Sequence, residues 1–149
     1  MSGAFELRAY RDADHAEWLR MRRALWPEIA REREVEDGAE WLARDDATVL
    51  VAERAAGGLC GFAEVAERPY AEGCETSPVT YLEGWWVDAD VRRAGVGAAL
   101  VRAAEDWGRS RGRTEMGSDV LLDNDVSHTA HRALGFDEVE RLVMYRKSL

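Results

Sequence analysis

Between Val79 and Trp107 the apolar positions change period. Val79-Thr80-Tyr81-Leu82-Glu83-Gly84-Trp85-Trp86-Val87 is a proline-free run of β-branched and aromatic residues bounded by turn formers, and it predicts a strand. Val96, Leu100, Ala104 and Trp107 then recur at intervals of four, four and three, one face of a helix. The same two periods run through the rest of the chain. Phe5, Leu7 and Ala9 alternate with Glu6 and Arg8 and predict a strand over 5–10. Trp18, Met21 and Leu25 share a helical face. Asp12 or Asp14 caps that helix, Asp14 and Glu17 having capping-box spacing, and Trp26-Pro27 ends it. A second helix is expected over about 34–43, with Val35, Trp41 and Leu42 as its apolar residues.

Further along, residues 48–52 and 59–67 read as strands joined by the hairpin turn Ala55-Ala56-Gly57-Gly58. Residues 68–78 form a loop punctuated by Pro69, Gly73 and Pro78. The helix of Val96 is closed by Gly112 as a left-handed cap, and a short strand follows over 114–118. Asn124, Asp125 or Ser127 opens a helix with Val126, Ala130 and Leu134 on one face and Gly135 as its stop. Final strands are expected over 136–140 and 142–147. The order β-α-α-β-β-β-α-β-α-β-β predicts a single α/β (α+β) domain over residues 1–149. An antiparallel meander followed by strand–helix–strand makes a mixed, twisted sheet with helices on both faces.

Composition narrows the partners. With 46% hydrophobic and 33% charged residues in 149, the chain suits a globular domain with a proper core. It has no apolar run of about 18 residues, so no membrane association is expected. Residues 1–6 lack a basic and then apolar export signature, which predicts a cytoplasmic protein with Cys60 and Cys74 reduced. A net charge of −9 argues against nucleic acid as the main partner and suits either solubility or a cationic substrate. His15 and His128 read as surface residues, and three isolated histidines predict no metal site.

Chemistry concentrates where the period changes. Arg92-x-x-Gly95-x-Gly97 lies between strand and helix, where free N–H groups and the positive end of the helix dipole attract phosphate. The segment has no Gly-Lys-Ser/Thr for a P-loop, and Leu100 stands where a dinucleotide fingerprint needs its third glycine. Glu83 sits in an apolar strand, in phase with Tyr81 and Trp85, where a carboxylate is costly unless paired or working. It reads as a contact to a reacting group, or as a carboxylate on a solvated face. Asp119 lies just beyond a strand end, as a ligand contact or a turn residue.

The Arg-x-x-Gly-x-Gly loop after a strand resembles the acetyl-CoA pyrophosphate loop of the GCN5-related N-acetyltransferases (GNAT superfamily), and Leu134-Gly135-Phe136 is similar to a common C-terminal motif there. Leu25-Trp26-Pro27, Tyr70 with Gly73-Cys74, Ser77-Pro78-Val79, Leu82-Glu83-Gly84, Ser118-Asp119, His131-x-Ala133-Leu134-Gly135-Phe136 and Tyr145-Arg146-Lys147 further resemble the short, single-domain aminoglycoside 6′-N-acetyltransferases. The resemblance implies the GNAT acyl-CoA N-acyltransferase fold and acetyl-CoA as acetyl donor, without a metal. It implies transfer to the 6′-amine of an aminoglycoside antibiotic by direct attack in a ternary complex, giving resistance. It also implies a homodimer paired through C-terminal strands.

By the same resemblance Trp85, Trp86 and Val87 line the acetyl end. Arg93, Ala94, Gly95, Val96, Gly97 and Ala98 hold the pyrophosphate, and Asn124 bonds the cofactor unless it is a plain N-cap. Trp26 and Tyr70 face the sugar rings, or pack locally. Glu83, Asp119 and Glu140 supply carboxylates, Glu83 contacting the amine and serving as base through a water; Glu140 is otherwise a solvated strand residue. The chain departs from the superfamily at the acid. Where Tyr-x-x-x-Gly-Phe is common it has His131, which is either a proton donor or a packed helix residue; Tyr145 and solvent are the other donors. Another cationic acceptor (a polyamine, small amine or peptide N-terminus) and a non-catalytic acyl-CoA-binding module remain as alternatives.

Overall fold

The chain's elements follow the two sequence periods as far as Ala133. In the computed structural model, which describes residues 4–149, the strands are β1 (Phe5–Ala9), β2 (Ala47–Arg54), β3 (Leu59–Arg68), β4 (Val79–Val87) and β5 (Met116–Ser118). The helices are α1 (His15–Leu25), α2 (Arg31–Leu42), α3 (Val96–Ser110) and α4 (Asp125–Ala133). The export-signal reading of residues 1–3 lies outside the described residues. The sheet order is β1-β2-β3-β4-β5, antiparallel throughout except for the parallel pair β4–β5.

Each sheet face carries its own core. Val96, Leu100, Val101 and Ala104 of α3 bury against Ala52, Ala63, Val65 and Leu82. On the opposite face Trp18, Leu19 and Met21 of α1 bury against Val49, Val51 and Phe62. The α3 helix has the wide apolar stripe that such packing needs.

The β3–β4 ladder contains the feature that matters most. Glu64 faces Gly84 and Val65 faces Leu82, so Glu83 is an extra residue in β4, a β-bulge. A strict period of two would put Tyr81, Glu83 and Trp85 on one face, as expected from sequence. The bulge breaks that phase. Glu83 stays with Tyr81 on the α1 side, whereas Trp85, paired with Ala63, turns into the α3 core.

Other expectations are corrected. No strand follows β5: residues 134–149 lie outside any helix or strand, and Leu142, Val143, Met144 and Tyr145 are exposed. Their β propensity goes unused within this chain, because the tail is not laid along any of its strands. The expected Asp14–Glu17 capping box is also absent. The Asp14 carboxylate accepts from the Arg8 guanidinium at 2.7 and 2.9 Å and from the Arg11 N–H at 2.8 Å, closing a short 3-10 turn ahead of α1. Glu17 instead pairs with Arg20 and accepts the Leu59 N–H. The second helix starts at Arg31, earlier than its apolar residues indicate.

Candidate active site

The bulge turns Glu83 toward a chain of polar contacts. Arg68 donates to both Glu83 oxygens, at 2.6 and 2.7 Å. The Arg68 guanidinium also lies over the Tyr81 ring, 3.5 Å from its centre. The Tyr81 hydroxyl donates to Asp119 at 2.6 Å. Burial, and then that carboxylate, push the Tyr81 pKa upward, so the hydroxyl remains a donor. Glu83 and Asp119, 36 positions apart, thus belong to one network.

Beside this network a cleft of about 300 Å³ opens between the sheet, α1 and α2. Its floor is Arg22, Glu64 and Glu83; Trp26 and Trp41 line it, and Asp37, Glu40 and Arg44 stand farther out. The Trp26 ring covers Gly84 so closely that a Cβ there would lie 2.7 Å from a ring carbon. The Arg22 guanidinium sits between the Trp18 and Trp26 rings, 4.9 and 5.0 Å from their centres, and donates to Glu64 at 2.5 Å. Desolvation lifts the Glu64 carboxyl to about 7, Arg22 offsetting only part of the rise.

The other half of the site lies at the end of β4. The β4–β5 ladder covers only Thr80–Leu82 against Met116–Ser118, so beyond Leu82 this edge of β4 has no strand neighbour among the described residues. The chain then turns through Arg93 (φ 64°) and Gly95 (φ 87°), both left-handed, into α3. The first bond of that helix runs from the Ala99 N–H to the Gly95 carbonyl at 3.0 Å, which leaves the N–H groups of Val96, Gly97 and Ala98 to an external acceptor. Arg92 donates to the Val87 carbonyl at 3.0 Å and covers Trp86; Trp86 in turn donates to Asp88, which Arg20 and Arg54 hold in place. Trp85 packs beside Gly97.

His131 is held on several sides. Its Nδ1 lies 2.8 Å from the Ser127 carbonyl and its Nε2 2.8 Å from the Ser118 hydroxyl, with Trp85 and Phe136 against the ring. A carbonyl only accepts, so Nδ1 carries the proton and Nε2 accepts from Ser118. Burial lowers the His131 pKa, which keeps the ring neutral at pH 7. Asn124 caps α4, its Oδ1 accepting the Ser127 N–H at 3.1 Å, so only its amide nitrogen is left for a ligand.

Trp26 and Glu83 therefore meet at the cleft, and Asp119 joins Glu83 through Tyr81 and Arg68; the residues assigned to the cofactor share the end of β4 and the start of α3, except Asn124, which caps α4. Tyr70 is exposed on its loop. Glu140 and Tyr145 are not brought to the cleft of this chain. They lie on the exposed tail, whose Val139 passes over Gly73 of the Tyr70 loop. Sequence reasoning missed Arg22, Asp37, Glu40, Trp41 and Glu64. For Glu64 a signal existed: it is the one acid inside the apolar run Leu59–Ala66, the same cue that marked Glu83. No group of three or more His, Cys, Asp or Glu side chains suited to a metal ion occurs among the described residues.

Residues 15–136 match the family model described as the acetyltransferase (GNAT) family. Over 146 residues, 96% of each chain, the sequence is 45% identical to an aminoglycoside N(6′)-acetyltransferase type 1 of Klebsiella aerogenes. It is 39% identical to the protein of that name from Stenotrophomonas maltophilia, covering 100% of this chain and 97% of that one. Among solved structures, AAC(6′)-Iy in complex with the bisubstrate analogue CoA-S-monomethyl-acetylneamine superposes with a TM-score of 0.91 at 36% identity, covering 97% of this chain and 99% of that one.

Proposed function

The chain belongs to the acetyltransferase (GNAT) family, and we propose that it transfers the acetyl group of acetyl-CoA to the 6′-amine of an aminoglycoside antibiotic, giving resistance. The observation that carries this reading is the bulge at Glu83. It places an acidic, aromatic cleft on one side of β4, next to the unpaired edge and open helix N-terminus on the other. Aminoglycosides are polycations built of sugar rings, and Trp26, Glu83 and Asp119 offer stacking and charge to match.

When bound, acetyl-CoA supplies an acetyl thioester. Its pyrophosphate fits the free N–H groups of Val96, Gly97 and Ala98, with Arg93, Ala94 and Gly95 shaping the turn, and Trp85, Trp86 and Val87 flank the acetyl end. The backbone of β4 past the bulge supplies N–H groups toward the developing oxyanion. Glu83, held by Arg68, fixes the ammonium end of the acceptor, and Asp119 holds a second amine. Attack is direct: burial raises the thiol pKa of both Cys60 and the half-buried Cys74, so neither stands ready as a thiolate for an acyl-enzyme. His131, neutral, positions the Ser118 hydroxyl at the mouth of the β4–β5 opening rather than donating a proton itself. Asn124 offers its amide nitrogen from the first turn of α4.

The exposed tail residues Leu142, Val143, Met144 and Tyr145, with β5 as an edge strand, suit pairing with a second copy. Glu140 and Tyr145 then belong to the assembled dimer. A cytoplasmic location fits an enzyme that uses acetyl-CoA, and no helix among the described residues is long and apolar enough to cross a membrane. The test is mass spectrometry of kanamycin and related drugs after incubation with enzyme and acetyl-CoA. One acetyl group on the 6′-nitrogen is expected. Turnover of polyamines or peptide N-termini alone would replace the acceptor, and tight CoA binding without turnover of any amine would replace catalysis.

A further inference from the structure

We propose that Glu64, rather than Glu83, is the carboxylate that takes the proton from the attacking amine. The inference rests on the acetyltransferase reading above, and its starting point is the different way the two carboxylates are held. Both Glu83 oxygens accept from one guanidinium, Arg68. That bidentate pairing holds Glu83 in place and leaves neither of its oxygens free of a donor. Glu64 accepts from Arg22 through Oε1 alone. The Trp18 indole N–H lies close to the same carboxylate without reaching hydrogen-bond geometry, so Arg22 is the one donor that bonds Glu64 among the described residues.

Its position suits the task. Glu64 is paired in register with Gly84, beside the bulge, under Trp26 and on the floor of the cleft. It is 2% exposed and Arg22 5%. Packing alone does not account for this pair, because a buried ion pair adds little net stability over well-packed apolar residues. The charged groups that share the cleft with Glu64 are Arg22 from α1, Asp37 and Glu40 from α2, Arg44 beyond it, and Glu83 from β4. Asp37 pairs with Arg33 and Arg44 with Asp46, which leaves Arg22 as the cation joined to Glu64. Burial brings Glu64 to about 7, where a base exchanges protons readily at neutral pH.

In the step, the substrate ammonium gives one proton to Glu64 Oε2, leaving a neutral amine and a carboxylic acid. The nitrogen lone pair forms the C–N bond to the thioester carbon. The C–S bond breaks, its electron pair leaves with CoA sulfur, and the amine's second proton goes to that thiolate. Glu64 returns its own proton to solvent as the amide leaves.

The test is Glu64→Gln, which keeps shape and loses the base. The variant should melt cooperatively and bind acetyl-CoA with wild-type affinity by calorimetry. On a good aminoglycoside its kcat should fall about 100-fold or more, the usual contribution of a general base, with KM within about threefold. The acid limb of the wild-type kcat profile, shifted above the ordinary carboxylate range by the burial of Glu64, should disappear. On an acceptor already neutral at pH 7, such as a hydrazide, the two enzymes should run at similar rates. A folded Glu64→Gln with wild-type kcat overturns the proposal, and so does an equal loss on both acceptors with the acid limb retained. If Glu64→Gln does not fold, Glu64→Asp keeps the charge and withdraws the base; a kcat loss of about tenfold is expected, and an unchanged kcat overturns the assignment. A wild type that acetylates no aminoglycoside overturns the proposed function and this step with it, whereas an active wild type with an equally active variant overturns this step alone.

Discussion

Gly84→Ala is the smallest change that reaches the acceptor cleft without touching a charged group. A Cβ at this position would lie 2.7 Å from Trp26 Cη2 and 3.1 Å from Cζ2. Ordinary carbon contacts lie near 3.7 Å, so the ring must back away by about 1 Å. It cannot do so freely. Arg22 covers one side of it, 5.0 Å from the ring centre, and Phe62 meets it edge-on. Arg22 in turn is bonded to Glu64, so the displacement reaches the cleft floor. Overpacking of this kind destabilises by about 1–3 kcal/mol. A misplacement of about 1 Å in a positioned group lowers kcat/KM by about 10- to 100-fold, or about 1.4–2.7 kcal/mol in transition-state stabilisation. Cofactor affinity should be unchanged, because α3 and its first turn lie on the other side of β4. The assay is a double-mutant cycle with Trp26→Ala, read by urea unfolding and by steady-state kinetics on one aminoglycoside. Once the ring is gone, Gly84→Ala should be neutral or slightly stabilising, since alanine orders more cheaply than glycine in a strand. Equal destabilisation in both backgrounds, or a single variant with wild-type stability and kcat/KM, would show that the ring does not rest on Gly84.

Gly95→Val should weaken acetyl-CoA binding at least tenfold by calorimetry, because a β-branched residue resists the φ of 87° that aims the α3 N–H groups; unchanged affinity would move the pyrophosphate elsewhere. Asp119→Asn should mainly raise the aminoglycoside KM, by an amount equivalent to about 1–3 kcal/mol, and Glu83→Gln should do the same with kcat retained to within a few-fold; wild-type kcat/KM in both would place the drug outside this cleft. Light scattering at micromolar concentration should report a dimer for the wild type and a monomer for Val143→Asp, and a monomeric wild type would remove the assembly.

Periodicity made the elements as far as Ala133 legible, because amphipathic faces repeat at intervals set by local backbone geometry and need no knowledge of neighbours. The glycine turn before α3 was legible for the same reason: a left-handed residue ahead of a helix is a local requirement. Asp119 and Glu83 could be singled out by their surroundings in sequence, but not joined, since the contact runs through Arg68 and Tyr81. Three things were decided only by the tertiary structure. The phase of β4 was one: a period of two carries Glu83 and Trp85 to the same face until the ladder with β3 adds a residue, and that pairing is a property of two strands. The tail was another, because β propensity in Leu142–Tyr145 becomes a strand only where a partner backbone lies alongside, and in this chain the tail is not laid along the free edges of β4 and β5. The last was the state of the acids. Glu64 and Glu83 look alike in sequence, yet one is desolvated beside a single guanidinium bond and the other is clamped at both oxygens, and only folding sets how much water and which cations a carboxylate keeps.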